Sequence, residues 1–286
     1  MNFLPRTDLA LEDYENEGKQ EIDEYNVNNI NIKKIILDSQ SAKKYKKREG
    51  VYFTITSDSV VDIAHDEANN LSIVLGKILE DIYESFNLTQ ESYILILGLG
   101  NQEITPDSLG PKVVKNIFVT KHLHDLDQLD EGLGIVGAIA PGVMGQTGIE
   151  TSDIIAALVK KTKPDMVLVV DALASRSLYR VNRTIQISTA GISPGSGVGN
   201  KRKEISMDTL GIPVLAIGVP TVVDIASIFY DFKDHFKDEY EIRDSLNESE
   251  LNYMVTNKDI DEMMNMMADI ISKSINVSIH NLEIYE

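Results

Sequence analysis

Tyr93-Ile94-Leu95-Ile96-Leu97-Gly98-Leu99-Gly100 is the stretch on which the fold turns. Five apolar residues in an unbroken run, stopped by glycine, are the pattern of a strand buried on both faces, as parallel strands are. Working forward, residues 108–122 have helical spacing and 134–140 read as an apolar strand. Residues 151–162 read as a helix, with Thr151 or Ser152 as its cap. Met166-Val167-Leu168-Val169-Val170 repeats the opening pattern. Residues 184–188 and 213–218 add two strands, and 221–232 a further helix. Strands that alternate with helices predict an α/β fold with a mostly parallel, helix-covered sheet.

Working backward, 30–37 and 51–56 read as strands. Residues 62–86 read as a helix whose apolar stripe includes Leu71, Leu75, Ile78, Leu79 and Ile82. The basic run Lys43-Lys44-Tyr45-Lys46-Lys47-Arg48 between those strands is expected in a loop, solvated or touching another subunit. Residues 9–29 are expected to be polar and only lightly docked. Residues 233–257 are acidic and lack a period, and 258–277 form a closing amphipathic helix. No internal repeat or low-complexity linker divides the chain, so a single domain is expected.

The 286 residues are ample for one sizeable core. There is no cysteine, which excludes a disulfide scaffold, a thiolate metal site and a thiol nucleophile. The net charge of −18 repels nucleic acid and favours solubility. It is concentrated at the ends: residues 1–30 carry −6 and residues 230–286 carry −9. The start of the chain lacks the apolar core of a signal peptide, and no run is long enough to span a bilayer. A soluble, cytoplasmic protein with no membrane partner and no direct nucleic-acid partner is expected.

Ligands of open α/β sheets bind outside the carboxyl ends of the strands. Those ends here offer the loop from Gly98 to Gly110, the segment after Val170, the glycine-rich loop Gly191–Asn200, and Val219-Pro220-Thr221. Asp171 follows five apolar residues, where a charge is costly unless used or paired. Asp107 begins a helix after Pro106. Read singly, one is an ordinary strand-end turn and the other an ordinary helix cap. Brought to one sheet edge, two carboxylates can share a proton, which is what activating a water and protonating a leaving group require. Gly98-Leu99-Gly100 lacks the third glycine of a dinucleotide fingerprint, and Pro194–Lys201 fails the P-loop pattern. Gly195, Gly197 and Gly199 suit a flexible lid or a cradle of backbone amides. No H-E-x-x-H or G-x-S-x-G is present, and His122 and His124 are expected at a solvated helix end.

Five segments together closely resemble the germination protease family: Arg6-Thr7-Asp8-Leu9-Ala10-Leu11-Glu12, Gly98-Leu99-Gly100-Asn101 with Thr105-Pro106-Asp107-Ser108-Leu109-Gly110-Pro111, Ala140-Pro141-Gly142-Val143-Met144-Gly145-Gln146-Thr147-Gly148, Val169-Val170-Asp171-Ala172-Leu173-Ala174-Ser175-Arg176, and Gly191–Asn200. The resemblance implies an endopeptidase that degrades small acid-soluble spore proteins at germination, with a fold like that of hydrogenase-maturation endopeptidases. It implies that Asp107 and Asp171 are the catalytic pair, in site loops that include Gly98, Gly100, Asn101, Gly195, Gly197 and Gly199.

The family's substrates are cut after the first acid of sites resembling Thr-Glu-(Phe/Ile)-Ala-(Ser/Thr)-Glu, and Thr7–Glu12 is a close analogue. Residues 1–8 are therefore expected to be a propeptide, removed by self-cleavage between Asp8 and Leu9 from a peptidase domain over 9–286. A homotetramer in the spore core, without metal or other cofactor, is expected. Two other readings stay open: a metal-dependent processing endopeptidase of the hydrogenase-maturation kind, and a non-catalytic module that binds an anion at the Gly195–Gly199 loop.

Overall fold

The apolar runs pair with one another because only a sheet satisfies their backbone groups while both faces are buried. A computed structural model of the chain describes residues 7–15, 22–57, 65–197, 199, 202–231 and 253–282. Among these lie strands β1 (Asp23–Val27), β2 (Ile30–Leu37), β3 (Gly50–Thr56), β4 (Tyr93–Gly98), β5 (Ile135–Ile139), β6 (Met166–Ser175), β7 (Thr184–Ser188), β8 (Val214–Asp224) and β9 (Met254–Val255). They form one sheet in the order β1-β2-β3-β7-β8-β6-β4-β5, with β9 pairing β8. The α/β sheet is mixed rather than mostly parallel as expected: the parallel arrangement is confined to β5, β4, β6 and β8. The wing formed by β1, β2, β3 and β7, and the β8–β9 pair, are antiparallel.

The parallel strands show a period-2 split between two cores. Ile94, Ile96, Met166, Leu168 and Val170 face the closing helix Ile260–His280 and the last two of the helices α1 (Ala10–Glu15), α2 (Ser39–Tyr45), α3 (His65–Ser85) and α4 (Leu109–Lys115). Leu95, Leu97, Val167 and Val169 face Ile155 and Val159 of the helix over Thr151–Thr162. Each fully buried aliphatic side chain contributes about 1.5–3 kcal/mol, so the sheet edge above these layers is a rigid platform.

Several expectations are corrected. The helix expected over 108–122 breaks after α4, because Thr120 bonds the β5 edge: its hydroxyl donates to the Gly134 carbonyl (2.6 Å) and accepts from the Val136 N–H (2.9 Å). Only Lys121–His124 resumes a turn of helix. The cap of the helix over 151–162 is Glu150, since the Thr151 hydroxyl is spent on the Gly142 carbonyl. Strands β6 and β8 run past their expected ends because they keep pairing with each other, Asp171 with Gly218 through to Ser175 with Val223. Thr221–Asp224 is accordingly strand, and helix begins only at Ile225.

Of the segment 9–29 expected to be lightly docked, residues 9–15 are anchored instead, and residues 16–21 lie outside the described residues. Ala10–Glu15 is a helix, and Leu9, Ala10 and Leu11 are fully buried, the last two against β2, β3 and the helix Ser39–Tyr45. Asp23–Val27 is an exposed edge strand. Of the expected basic loop, Lys43, Lys44 and Tyr45 belong to the helix Ser39–Tyr45, with Tyr45 buried. Most of the acidic stretch 233–257 and residues 1–6 of the expected propeptide lie outside the described residues.

Candidate active site

Strand β4 ends at Gly98, level with Val170 of β6, so Asp171 is the first β6 residue past its neighbour's end. It lies mid-strand rather than at a strand end, held on the other side by Gly218 of β8. The residue is 5% exposed, and its carboxylate accepts one N–H, that of Ala172, at 2.9 Å. No cation is paired with it among the described residues. Burial pushes the Asp171 carboxyl well above the usual carboxylate range, and the nearby charges of Asp107 and Asp8 push it further.

Asp107 closes a 3₁₀ turn, Thr105–Asp107, entered through Pro106. Its carboxylate is half-buried and accepts the Asn101 N–H at 2.9 Å. Burial raises its pKa, and the Asn101 bond offsets part of that rise. The turn is pinned from two sides, and one of the pins is itself braced. The Thr221 hydroxyl of β8 donates to the Pro106 carbonyl (2.7 Å), Thr256 donates to the Thr221 carbonyl (2.7 Å), and Thr105 donates to Asp261 of the closing helix (2.9 Å).

Glycine is required where this turn meets β4. A Cβ on Gly98 would approach Val114 to 2.8 Å, and one on Gly110 would approach the Gly98 carbonyl carbon to 2.6 Å. Gly100 has φ +111°, and its face lies against Asp107, so the turn and the carboxylate fit only over bare backbone there. Asn101 secures the far side, where its side-chain oxygen accepts from Glu103 N–H (3.0 Å) and from the Gln146 amide (2.6 Å).

The two aspartates line one cleft of about 520 Å³. Leu99, Gly100, Asn101, Gly195 and Thr221 also line it. Gly197 packs beside it against Asp8 and Ala174. Gly98 supports the cleft from behind, and Gly199, which is exposed, is not among the lining residues.

Asp8 lines this cleft as well. Its N–H donates to the Ala174 carbonyl (2.9 Å), and its carboxylate accepts from the Ala174 N–H (2.9 Å) and the Ser196 hydroxyl (2.5 Å). The Thr7 carbonyl accepts from Lys47 Nζ (3.0 Å), and the Leu9 N–H donates to the Thr7 hydroxyl (2.9 Å). Beyond Asp8 the chain enters the protein body. The Ala10 N–H donates to Gln186 (2.8 Å), and the buried Glu12 accepts from the Arg176 and Ser177 N–H groups (2.7 and 3.0 Å). Thr256 escapes sequence reading because it reaches the site from a distant segment. Thr221, Ser196, Gln146 and Lys47 lie in stretches that the sequence singles out, but the partners each one bonds leave no local mark.

The chain matches the description "Germination protease" over residues 7–247. It is 48% identical over 266 residues to a germination protease of Oceanobacillus iheyensis, covering 86% of this chain and 72% of that protein. It is 45% identical over 249 residues to one from a Geobacillus strain, covering 81% and 67%. The chain belongs to the germination protease family. It is a peptidase, and its two candidate aspartates lie within the matched segment. Among solved structures, a NiFe hydrogenase maturation protease from Thermococcus kodakarensis aligns with a TM-score of 0.37 and 17% identity, over 69% of this chain and 98% of that one.

The described residues contain no group of three or more His, Asp or Glu side chains disposed to hold a metal ion. No helix among them is long and apolar enough to cross a membrane.

Proposed function

We propose that this germination-protease family member is an endopeptidase that cuts small acid-soluble spore proteins after an acidic residue, using Asp107 and Asp171 on a water molecule. The observation that carries the reading is the shared cleft: two carboxylates from different segments, both with raised pKa, one deeply buried. Like charges held close do not both ionise readily, so the pair retains one proton. Asp171, the more buried and with two acidic neighbours, keeps it. Asp107, which accepts the Asn101 N–H, is the ionised member.

In the reaction, Asp107 takes a proton from water as the water oxygen bonds to the carbonyl carbon of the acidic residue. Asp171 gives its proton to the departing amide nitrogen as the C–N bond breaks. A carboxyl group and an amine leave, and a proton passes back from Asp107 to Asp171 through solvent. General acid–base assistance of this kind contributes about 10²–10⁴-fold.

The same reading makes the chain its own first substrate. Residues 1–8 are a propeptide, 9–286 the peptidase, and the Asp8–Leu9 bond the one cut before germination. The resemblance further supports a homotetramer acting in the spore core, a state that light scattering of the purified protein checks. The test of the reaction is digestion of a small acid-soluble spore protein with and without a chelator, followed by mass spectrometry. Cleavage after Glu at an undiminished rate is expected in both. Loss with chelator and recovery with a divalent ion would replace the proposal with a metal-dependent mechanism.

A further inference from the structure

Asp8 makes more contacts than a tether needs. Its carboxylate is held by two donors from different segments, the Ala174 N–H at the end of β6 and the Ser196 hydroxyl of the glycine-rich loop. Its own N–H returns to the Ala174 carbonyl, giving a two-point grip on one residue. Gly197 completes the enclosure: a methyl there would come within 2.6 Å of the Asp8 carboxyl carbon and 2.9 Å of Ala174 Cβ. The preceding carbonyl, Thr7 O, is fixed by Lys47, whose ammonium is itself steadied by Asp13 at 3.1 Å.

The partition of the segment is informative. Leu9, Ala10 and Leu11 are fully buried and Glu12 is 1% exposed, tied to backbone N–H groups. Asp8 lines both the catalytic cleft and a larger cleft of about 930 Å³ walled by Lys43–Arg48, and Thr7 lines the larger one. The contacts that hold residues 7 and 8 are therefore made by surfaces that would be vacated if those residues left.

We infer that Ala174 N–H, Ser196 Oγ and the bare backbone at Gly197 form a carboxylate subsite for the acidic residue on the N-terminal side of the cut, with Lys47 holding the carbonyl before it. The inference rests on the reaction proposed above. The donors are a neutral N–H and a hydroxyl, so the site takes an ionised Asp or Glu side chain. An amide side chain accepts from Ala174 with its oxygen and meets the Ser196 hydroxyl with an N–H₂, exchanging a charge-assisted bond for a weaker uncharged one. The space closed off at Gly197 selects against a branched apolar residue.

The test is a double-mutant cycle on self-cleavage of the full chain, read by intact mass, with Asp8→Asn, Ser196→Ala and the pair. Ser196 is exposed, so its truncation leaves the fold intact. Removing one hydrogen bond to a charged group corresponds to roughly a ten- to hundredfold change. Ser196→Ala should slow the Asp8 chain by that factor and the Asp8→Asn chain, which keeps only an uncharged bond, by a several-fold smaller one. Ser196→Thr, which keeps the hydroxyl, should restore the rate, and Asp8→Glu should still be cut. A peptide pair differing only in Glu or Gln before the cut provides a second readout, and Ser196→Ala should reduce the parent's preference for Glu. Equal slowing of both chains by Ser196→Ala, or an unchanged Glu preference, would overturn the subsite and leave the peptidase reading standing. A parent that cuts neither itself nor the Glu peptide would overturn the reaction beneath it.

Discussion

Gly110→Ala tests whether the junction of β4 and α4 sets the position of Asp107. The added Cβ would lie 2.6 Å from the Gly98 carbonyl carbon and closer to the Leu99 backbone, against an ordinary contact of 3.4 Å or more. The nearest of these, the Leu99 carbonyl oxygen, requires the helix to move off the strand by about 1.1 Å. Asp107 is two residues before Leu109, where α4 begins, whereas Asp171 rides on β6, which is paired directly with β4. The shift thus appears almost wholly in the separation of the two carboxylates. Misplacement by about 1 Å costs on the order of 10²-fold in rate, so a ten- to hundredfold fall in kcat is expected. Overpacking of this kind also costs about 1–3 kcal/mol, which for a chain of this size lowers Tm by roughly 2–10 °C. Peptide hydrolysis measured well below Tm, together with calorimetry, separates the two effects. Gly76→Ala is the control: mid-helix, its nearest neighbour is Ser274 O at 3.6 Å, so it should raise Tm slightly and leave kcat alone. A folded Gly110→Ala variant with kcat within twofold of the parent would refute the reasoning.

Two further outcomes follow from the buried carboxylates. Glu12→Ala strands the Arg176 and Ser177 N–H groups and removes the ion pair with Arg180 (3.5 Å), so thermal or denaturant unfolding should show a loss of about 2–4 kcal/mol; a loss below about 0.5 kcal/mol would count against Glu12 as the anchor. Asp171 has a folded pKa above its ordinary value, so the stability it supplies is complete below that value and is lost as pH rises through the folded pKa. Asp171→Asn removes this dependence: it should be more stable than the parent at pH 8, with the difference in Tm shrinking as pH falls towards 4, and a difference independent of pH would contradict the assigned burial cost.

That Asp107 and Asp171 meet in one cleft was legible because each follows a local signal, a proline turn and an unbroken apolar run, and because parallel strands deliver their ends to one edge. The extent of β6 was not, since its second half is strand only by virtue of pairing with β8, and pairing partners leave no mark on local sequence. The same holds for Leu9–Glu12. Acidic neighbours make that segment read as solvated, while its burial depends on β2, β3 and the backbone N–H groups of Arg176 and Ser177. The break in the helix expected over 108–122 had a trace, Ile117-Phe118-Val119-Thr120, a β-prone run that helical spacing alone overrides.

The most direct test of the aspartate pair is the intact mass of the full chain and of its Asp107→Asn and Asp171→Asn variants after incubation at mildly acidic pH. The parent should lose the mass of residues 1–8, while both variants retain full length over the same period. Loss of that N-terminal mass from either variant at the parent's rate would contradict the assignment of the pair as the groups that act on water.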